Sequence, residues 1–191
     1  DRAERFMLRT DVVKNTEGYE VRKVPLAGAA KDHVRKMKQW EEELDRLYQR
    51  NGIRANRCTL KGDAAAFEFL EGATFEERLD ALRRAGDTEG LVSEILWFRT
   101  LLMDTLKPEL RPFAKSGAFV EMFGSPEFPK AYEGAETNNL DWIFGNLMET
   151  EDGIRIIDYE WTFRVQVPAD YLLWRALSLY VHGREDMSAL G

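Results

Sequence analysis

Apolar positions along the chain switch between two periods, and the switches mark out its elements. Arg5 to Thr10 and Tyr19 to Val24 read as two short strands joined through the turn string Asn15-Thr16-Glu17-Gly18. From Asp32 to about Gln49 the period becomes helical, with Val34, Met37, Trp40, Leu44, Leu47 and Tyr48 on one stripe and Asn51-Gly52 as the stop. Arg57 to Lys61 and Ala64 to Leu70 form a second predicted strand pair around Gly62-Asp63. Thr74 is the expected N-cap of a helix running through Glu77, Leu79 and Leu82, and a longer helix is predicted over Thr88 to Leu106. Between Lys107 and Thr137, Pro, Gly and aromatic residues interrupt both periods; Phe119 to Gly124 reads as a short strand or turn. Pro168 precedes a last helix from Ala169 to His182. Strands and one helix come first and helices dominate later. That order predicts an α+β fold in two lobes divided near Gly72, with 1–72 strand-rich and 73–191 mainly helical.

The chemistry gathers in 138–161. Asn146-Leu147-Met148 and Ile154-Arg155-Ile156-Ile157 are apolar-rich runs separated by the turn signal Glu151-Asp152-Gly153. Folded back as a hairpin, they bring Asn146 and Asp158 to one open end, where Asp141 arrives from the preceding loop. Three oxygen-bearing side chains there suit a hard cation such as Mg²⁺, with one carboxylate left for a substrate hydroxyl. The bland alternative is an ordinary β-hairpin with solvated polar ends.

Two charged residues lie on faces that ought to be buried. Val21 and Lys23 share a strand face, so if Val21 points inward Lys23 does too, and a buried ammonium needs a partner. Glu41 lies four residues after Met37 and three before Leu44, on the apolar stripe of its helix. Glu42 and Glu43 are turned away from it by about 100° and 200°. Glu41 is therefore the predicted partner of Lys23, the alternative being that all three acids merely solvate the helix.

Asp141, four residues, Asn146, then a strand ending in Ile157-Asp158-Tyr159-Glu160 resembles the protein-kinase-like superfamily. The likeness is to its small-molecule kinases, such as choline kinases and aminoglycoside phosphotransferases. Asp158-Tyr159-Glu160-Trp161 also resembles kinase-like domains attached to bacterial methyltransferases and glycosyltransferases of surface-polysaccharide synthesis. The resemblance runs from about Phe6 to Leu177 and is strongest between Asn138 and Trp161. It implies a two-lobed kinase-like fold, a small antiparallel sheet lobe plus a mainly helical lobe, using ATP and Mg²⁺. Lys23 would be the nucleotide-contacting lysine, held by Glu41. Phe67 to Gly72 resembles the connector between lobes, where adenine would meet the Glu68 carbonyl and the Leu70 amide. Asp141 would accept or orient the proton of the attacking hydroxyl, and Asn146 and Asp158 would hold the metal. Glu160, on the same strand face as Asp158, would support a metal through water. The implied acceptor is a hydroxyl of a small molecule or glycan. No Ala-Pro-Glu segment follows Asp158, which disfavours a protein acceptor. Fused or associated enzyme domains are expected as partners.

Two departures bear on activity. Asn139 stands two residues before Asp141, where the superfamily usually has His. The phosphate-covering hairpin would fall near Asp1 to Phe6, which contain no glycine. Either the chain starts inside its domain, truncated at the N-terminus, or it uses the glycine-poor loop of small-molecule relatives. These departures, with a short helical part after Asp158, leave a second expectation: a catalytically inactive kinase-like module that binds nucleotide or a partner enzyme.

Composition removes other classes. A formal net charge of −7 without a dense Lys/Arg block argues against nucleic acid as a partner. Two histidines and one cysteine make a zinc site improbable, and the lone Cys58 fits a reducing, cytoplasmic compartment. No apolar run reaches membrane-spanning length and no signal peptide is visible. The first residue, Asp1, is not Met, which fits a fragment or a processed chain.

Overall fold

The computed structural model describes residues 3–16, 18–182 and 184. Glu17 of the first predicted turn, and Asp1 and Arg2 of the region expected to cover phosphates, lie outside the described residues. In chain order the strands are β1 (Leu8–Asn15), β2 (Gly18–Pro25), β3 (Ile53–Ala55), β4 (Cys58–Lys61), β5 (Ala64–Glu68), β6 (Ala73–Thr74) and β7 (Arg111–Pro112). They continue with β8 (Glu133–Ala135), β9 (Asn138–Asn139), β10 (Leu147–Thr150), β11 (Gly153–Ile156), β12 (Thr162–Phe163) and β13 (Val167–Pro168). The α-helices are α1 (Lys31–Tyr48), α2 (Phe75–Ala85), α3 (Thr88–Leu106), α4 (Gly117–Phe123) and α5 (Ala169–His182). The fold is α+β, with a small antiparallel sheet and a helical part. The chain divides into two units, Asp1–Gly72 with Glu149–Glu160, and Ala73–Met148 with Trp161–Gly191. Glu149–Glu160 thus goes with the first unit, whereas the sequence reading puts all of 138–161 in the second.

The first unit is built on an antiparallel sheet in the order β1-β2-β5-β4. Its register sets Lys23 opposite Thr10 and Ala65, and Val21 opposite Val12 and Phe67. By the two-residue alternation, Val21, Lys23, Ala65 and Phe67 share one face. The β4–β5 turn uses Gly62 at φ +62°, a backbone conformation that glycine adopts without steric cost. Helix α1 buries Val34, Met37, Leu44 and Tyr48, each side chain contributing about 1.5–3 kcal/mol on full burial. The first strand starts later than the pattern predicts, because Glu4–Phe6 closes a 3₁₀ turn. The ring of Phe6 meets His33 edge-on at 5.0 Å.

A second pairing joins distant parts of this unit. β3 runs parallel to β11, with Ile53 opposite Ile154 and Ala55 opposite Ile156. The Asn56 N–H extends the ladder to the Ile156 carbonyl at 2.8 Å. Ile53 and Ile156 are fully buried, so three residues with little strand signal of their own are recruited by burial.

In the second unit α2 opens with a capping box. Thr74 Oγ1 accepts the Glu77 N–H at 3.2 Å, and the Glu77 carboxylate accepts the Thr74 N–H at 2.8 Å. Asp87 caps α3 by accepting the Gly90 N–H at 2.8 Å. Phe119 to Gly124, expected as a strand or turn, lies in α4 up to its closing Gly124: Ser116 caps the helix, and the rings of Phe119 and Phe123 meet at a tilt one turn apart, at 5.0 Å. β7, β8 and β13 form a small antiparallel sheet. Gly134 is required there, since any Cβ would strike the Val167 carbonyl. Among the described residues, no helix is long and apolar enough to cross a membrane.

Candidate active site

Lys23 is buried on the inner face of β2, and its ammonium finds two carboxylates from the segment after β11. Nζ donates to both Asp158 oxygens, at 2.8 and 2.7 Å, and to Glu160 Oε2 at 2.7 Å. Burial alone would pull the Lys23 pKa down, but the charges of Asp158 and Glu160 outweigh it and hold the pKa above its ordinary value. The ammonium is therefore charged at all physiological pH.

The segment carrying these acids is shaped by Tyr159 between them. Its ring is buried, meets Phe67 edge-on at 5.7 Å, and its hydroxyl donates to the Asn56 carbonyl at 2.7 Å. Asp158 and Glu160, on either side of Tyr159, both turn to Lys23. Asp158 Oδ1 also accepts the Glu160 N–H at 3.1 Å, which fixes the local turn. The Asp158 side chain keeps 33% of its surface exposed and Glu160 only 6%. One acid is open to a ligand and the other is not.

Glu41 is not the partner of Lys23. Its carboxylate accepts from Lys38 at 2.6 Å and from the Cys58 N–H at 3.0 Å. An acid on an apolar stripe does need partners, but a backbone amide of the neighbouring β4 supplies one before Lys23 is reached.

The expected connector also differs in detail. The Glu68 carbonyl, expected to face adenine, accepts from Asn56 Nδ2 at 2.9 Å, leaving it one lone pair. The Glu68 side chain is exposed and Leu70 is half-buried. Asn56 itself is buried, a polar residue that no motif or period along the chain singles out.

In the second unit the loop from Asn139 to Asn146 is tied down residue by residue. Asn139 Oδ1 accepts the Asp141 N–H at 2.9 Å, and the Ile143 N–H donates back to the Asp141 carbonyl at 2.8 Å. Asn146 Nδ2 donates to that same carbonyl at 3.1 Å, so its Oδ1 is the atom left for a hard cation. The loop is anchored by Phe144, whose ring lies 4.5 Å from Phe98, 5.5 Å from Phe75 and 5.5 Å from Tyr180. Trp142 is buried and serves packing.

The Asp141 side chain is largely buried and held from two sides. Oδ2 accepts the Trp161 N–H at 3.3 Å, and Arg175 of α5 places its guanidinium 3.7 Å from Oδ1. Arg175 Nε also donates to the Leu140 carbonyl at 2.7 Å, so one residue orients both the loop backbone and the acid. An arginine on the apolar last helix was the available signal for this role.

No family model matches the chain, and no curated protein matches it. Among solved structures, the chain is similar to the apoenzyme of macrolide 2'-phosphotransferase MphH from Brachybacterium faecium. Identity is 12%, coverage is 93% of this chain and 77% of that one, and the TM-score is 0.44. It is also similar to the streptomycin-ATP-APH(2")-IIa ternary complex, at 15% identity, 96% and 79% coverage, and a TM-score of 0.40.

Among the described residues no cluster of three or more His, Cys, Asp or Glu is placed to hold a metal. The donors present fit a different arrangement. Mg²⁺ is commonly held by one or two protein oxygens with the rest of its shell from waters and substrate phosphates. The part-exposed carboxylate of Asp158 in the first unit is a donor of that kind, and so, separately, is the Asn146 amide oxygen in the second.

Proposed function

We propose that this chain is an ATP- and Mg²⁺-dependent phosphotransferase of the protein-kinase-like superfamily, acting on a hydroxyl of a small molecule or sugar. The observation that carries the reading is the buried Lys23 on β2, paired through both oxygens with Asp158 of the Ile-Asp-Tyr-Glu string 135 residues later.

Bound Mg·ATP supplies the phosphoryl group and a divalent charge to offset the negative charge that spreads in transfer. Lys23, fixed by two acids, offers a positive charge to phosphate oxygens. Asp158 and the Oδ1 of Asn146 are the ligands offered to the metal. Asp141, held in one orientation by Arg175 and the Trp161 N–H, accepts the proton of the acceptor hydroxyl. Asn139, where the superfamily usually has His, holds the loop through its amide oxygen, which accepts the Asp141 N–H. Adenine would use the remaining lone pair of the Glu68 carbonyl and the Leu70 N–H.

The Asp158-Tyr159-Glu160-Trp161 string favours a sugar hydroxyl of surface-polysaccharide synthesis as acceptor, with fused or associated enzyme domains as partners. A free, buried Cys58 supports a reducing, cytoplasmic setting. Thermal unfolding tests the reading. At about 100 times its Kd, Mg·ATP adds about 2.7 kcal/mol, several degrees in Tm for a chain of this size. Asp158→Ala should remove the metal-dependent part of that shift. A chain whose Tm ignores Mg·ATP is not a kinase of this kind.

A further inference from the structure

We infer that Glu160 is the positioning residue of Lys23, in the role the sequence reading gives to Glu41. The inference rests on the nucleotide-binding reading above and assigns a role within it. An ammonium has three N–H donors. Two go to the Asp158 oxygens and one to Glu160 Oε2, at 2.8, 2.7 and 2.7 Å. The two acids differ in what they are free to do. Asp158 is one-third exposed, so a cation or a solvent molecule can compete for its oxygens; Glu160, at 6% exposure, is closed off. Were a cation to take the Asp158 oxygens, Lys23 would lose up to two of its three acceptors and Glu160 would remain.

Glu160 is itself held. Its N–H donates to Asp158 Oδ1, and the adjacent Tyr159 hydroxyl is fastened to the Asn56 carbonyl at 2.7 Å. The Glu41 carboxylate is engaged elsewhere, its Oε2 accepting from Lys38 and from the Cys58 N–H. The ammonium on β2 is therefore held by the 158–160 segment.

The test is calorimetric titration of the full chain with Mg·ATP and, separately, with adenosine. Glu160→Gln should weaken Mg·ATP by about tenfold, the worth of one charge-assisted hydrogen bond, and leave adenosine unchanged. A purely structural role would weaken both. Glu41→Gln should leave both affinities unchanged. Lys23→Met/Glu160→Gln should bind Mg·ATP no more weakly than Lys23→Met alone. Glu160→Asp, which keeps the charge, should recover part of the loss and serves as the readout if the Gln variant does not fold. A wild-type chain that binds Mg·ATP while Glu160→Gln binds it equally well, or while Glu160→Asp binds it no better than Glu160→Gln, overturns this inference and leaves the kinase reading standing. A wild-type chain that binds no Mg·ATP overturns both.

Discussion

Glu41 receives the backbone N–H of Cys58 at 3.0 Å and so ties the middle of α1 to the first residue of β4. Removing that carboxylate leaves a buried amide without its acceptor. Glu41→Ala should cost about 1–3 kcal/mol of stability, the penalty of one unsatisfied buried donor. Urea unfolding reads this as a lower midpoint with an unchanged slope.

Cys58 should be inert in the folded protein. Burial, reinforced by the nearby Glu41 charge, pushes its thiol up from 9.0 to about 11. The folded state therefore favours the neutral thiol. This contribution to stability is complete below pH 9 and declines between pH 9 and 11, where the unfolded chain ionises first. Iodoacetamide at pH 8 should label Cys58 only after denaturation. Rapid labelling under native conditions would contradict the burial.

Asp80 provides the opposite pH dependence. Arg184 Nε and a second guanidinium nitrogen donate to its two oxygens at 2.7 and 2.9 Å, and the Tyr180 hydroxyl adds a third bond at 3.0 Å. Hydrogen bonding to Arg184 foremost holds its carboxyl down at about 2, from an ordinary 3.8. A depressed acid stabilises the fold above its unfolded pKa, and the effect disappears as pH falls from about 4 to 2. Asp80→Asn should cost about 1.5 kcal/mol at pH 7 and next to nothing at pH 2. Thermal melts at the two pH values measure the difference.

The Asp141 loop allows chemistry and support to be separated. Asp141→Asn should lower kcat for phosphate transfer by at least about 100-fold, the usual contribution of a positioned base, and leave Mg·ATP affinity intact. Asn139→Ala should act differently, because it strips the Asp141 N–H of its acceptor. It should lose about 1–3 kcal/mol of stability together with a smaller fall in kcat.

Much of this fold is legible in the sequence, for local reasons. Thr88–Leu106 has its cap, its stripe and its end written in consecutive residues, and the Thr74–Glu77 capping box is a four-residue signal. Helix α4 escapes because its seven residues lie among Pro, Gly and aromatics; only Ser116 and the four-residue spacing of Phe119 and Phe123 announce it. β3 escapes because three residues cannot show a period and its partner lies about a hundred residues away. In the candidate site, the inward turn of Lys23 follows from Val21 by alternation. Its partner does not follow: the helical stripe points to Glu41, and only packing shows that a β4 amide claims that carboxylate. Asn56 and Arg175 act through backbone carbonyls, and carbonyls leave no trace in a list of side chains.

The parallel pairing of β3 with β11 sets an order of events during synthesis. A ribosome releases Ile53 and Ala55 about a hundred residues ahead of Ile156, a delay of roughly 5–20 s at ordinary elongation rates. Over that interval the nascent strand edge is unmatched, and the ammonium of Lys23 waits for counter-ions that have not yet been translated. A proteolytic fragment ending at Gly72 would be frozen at that stage, missing the twelve residues that complete its own unit.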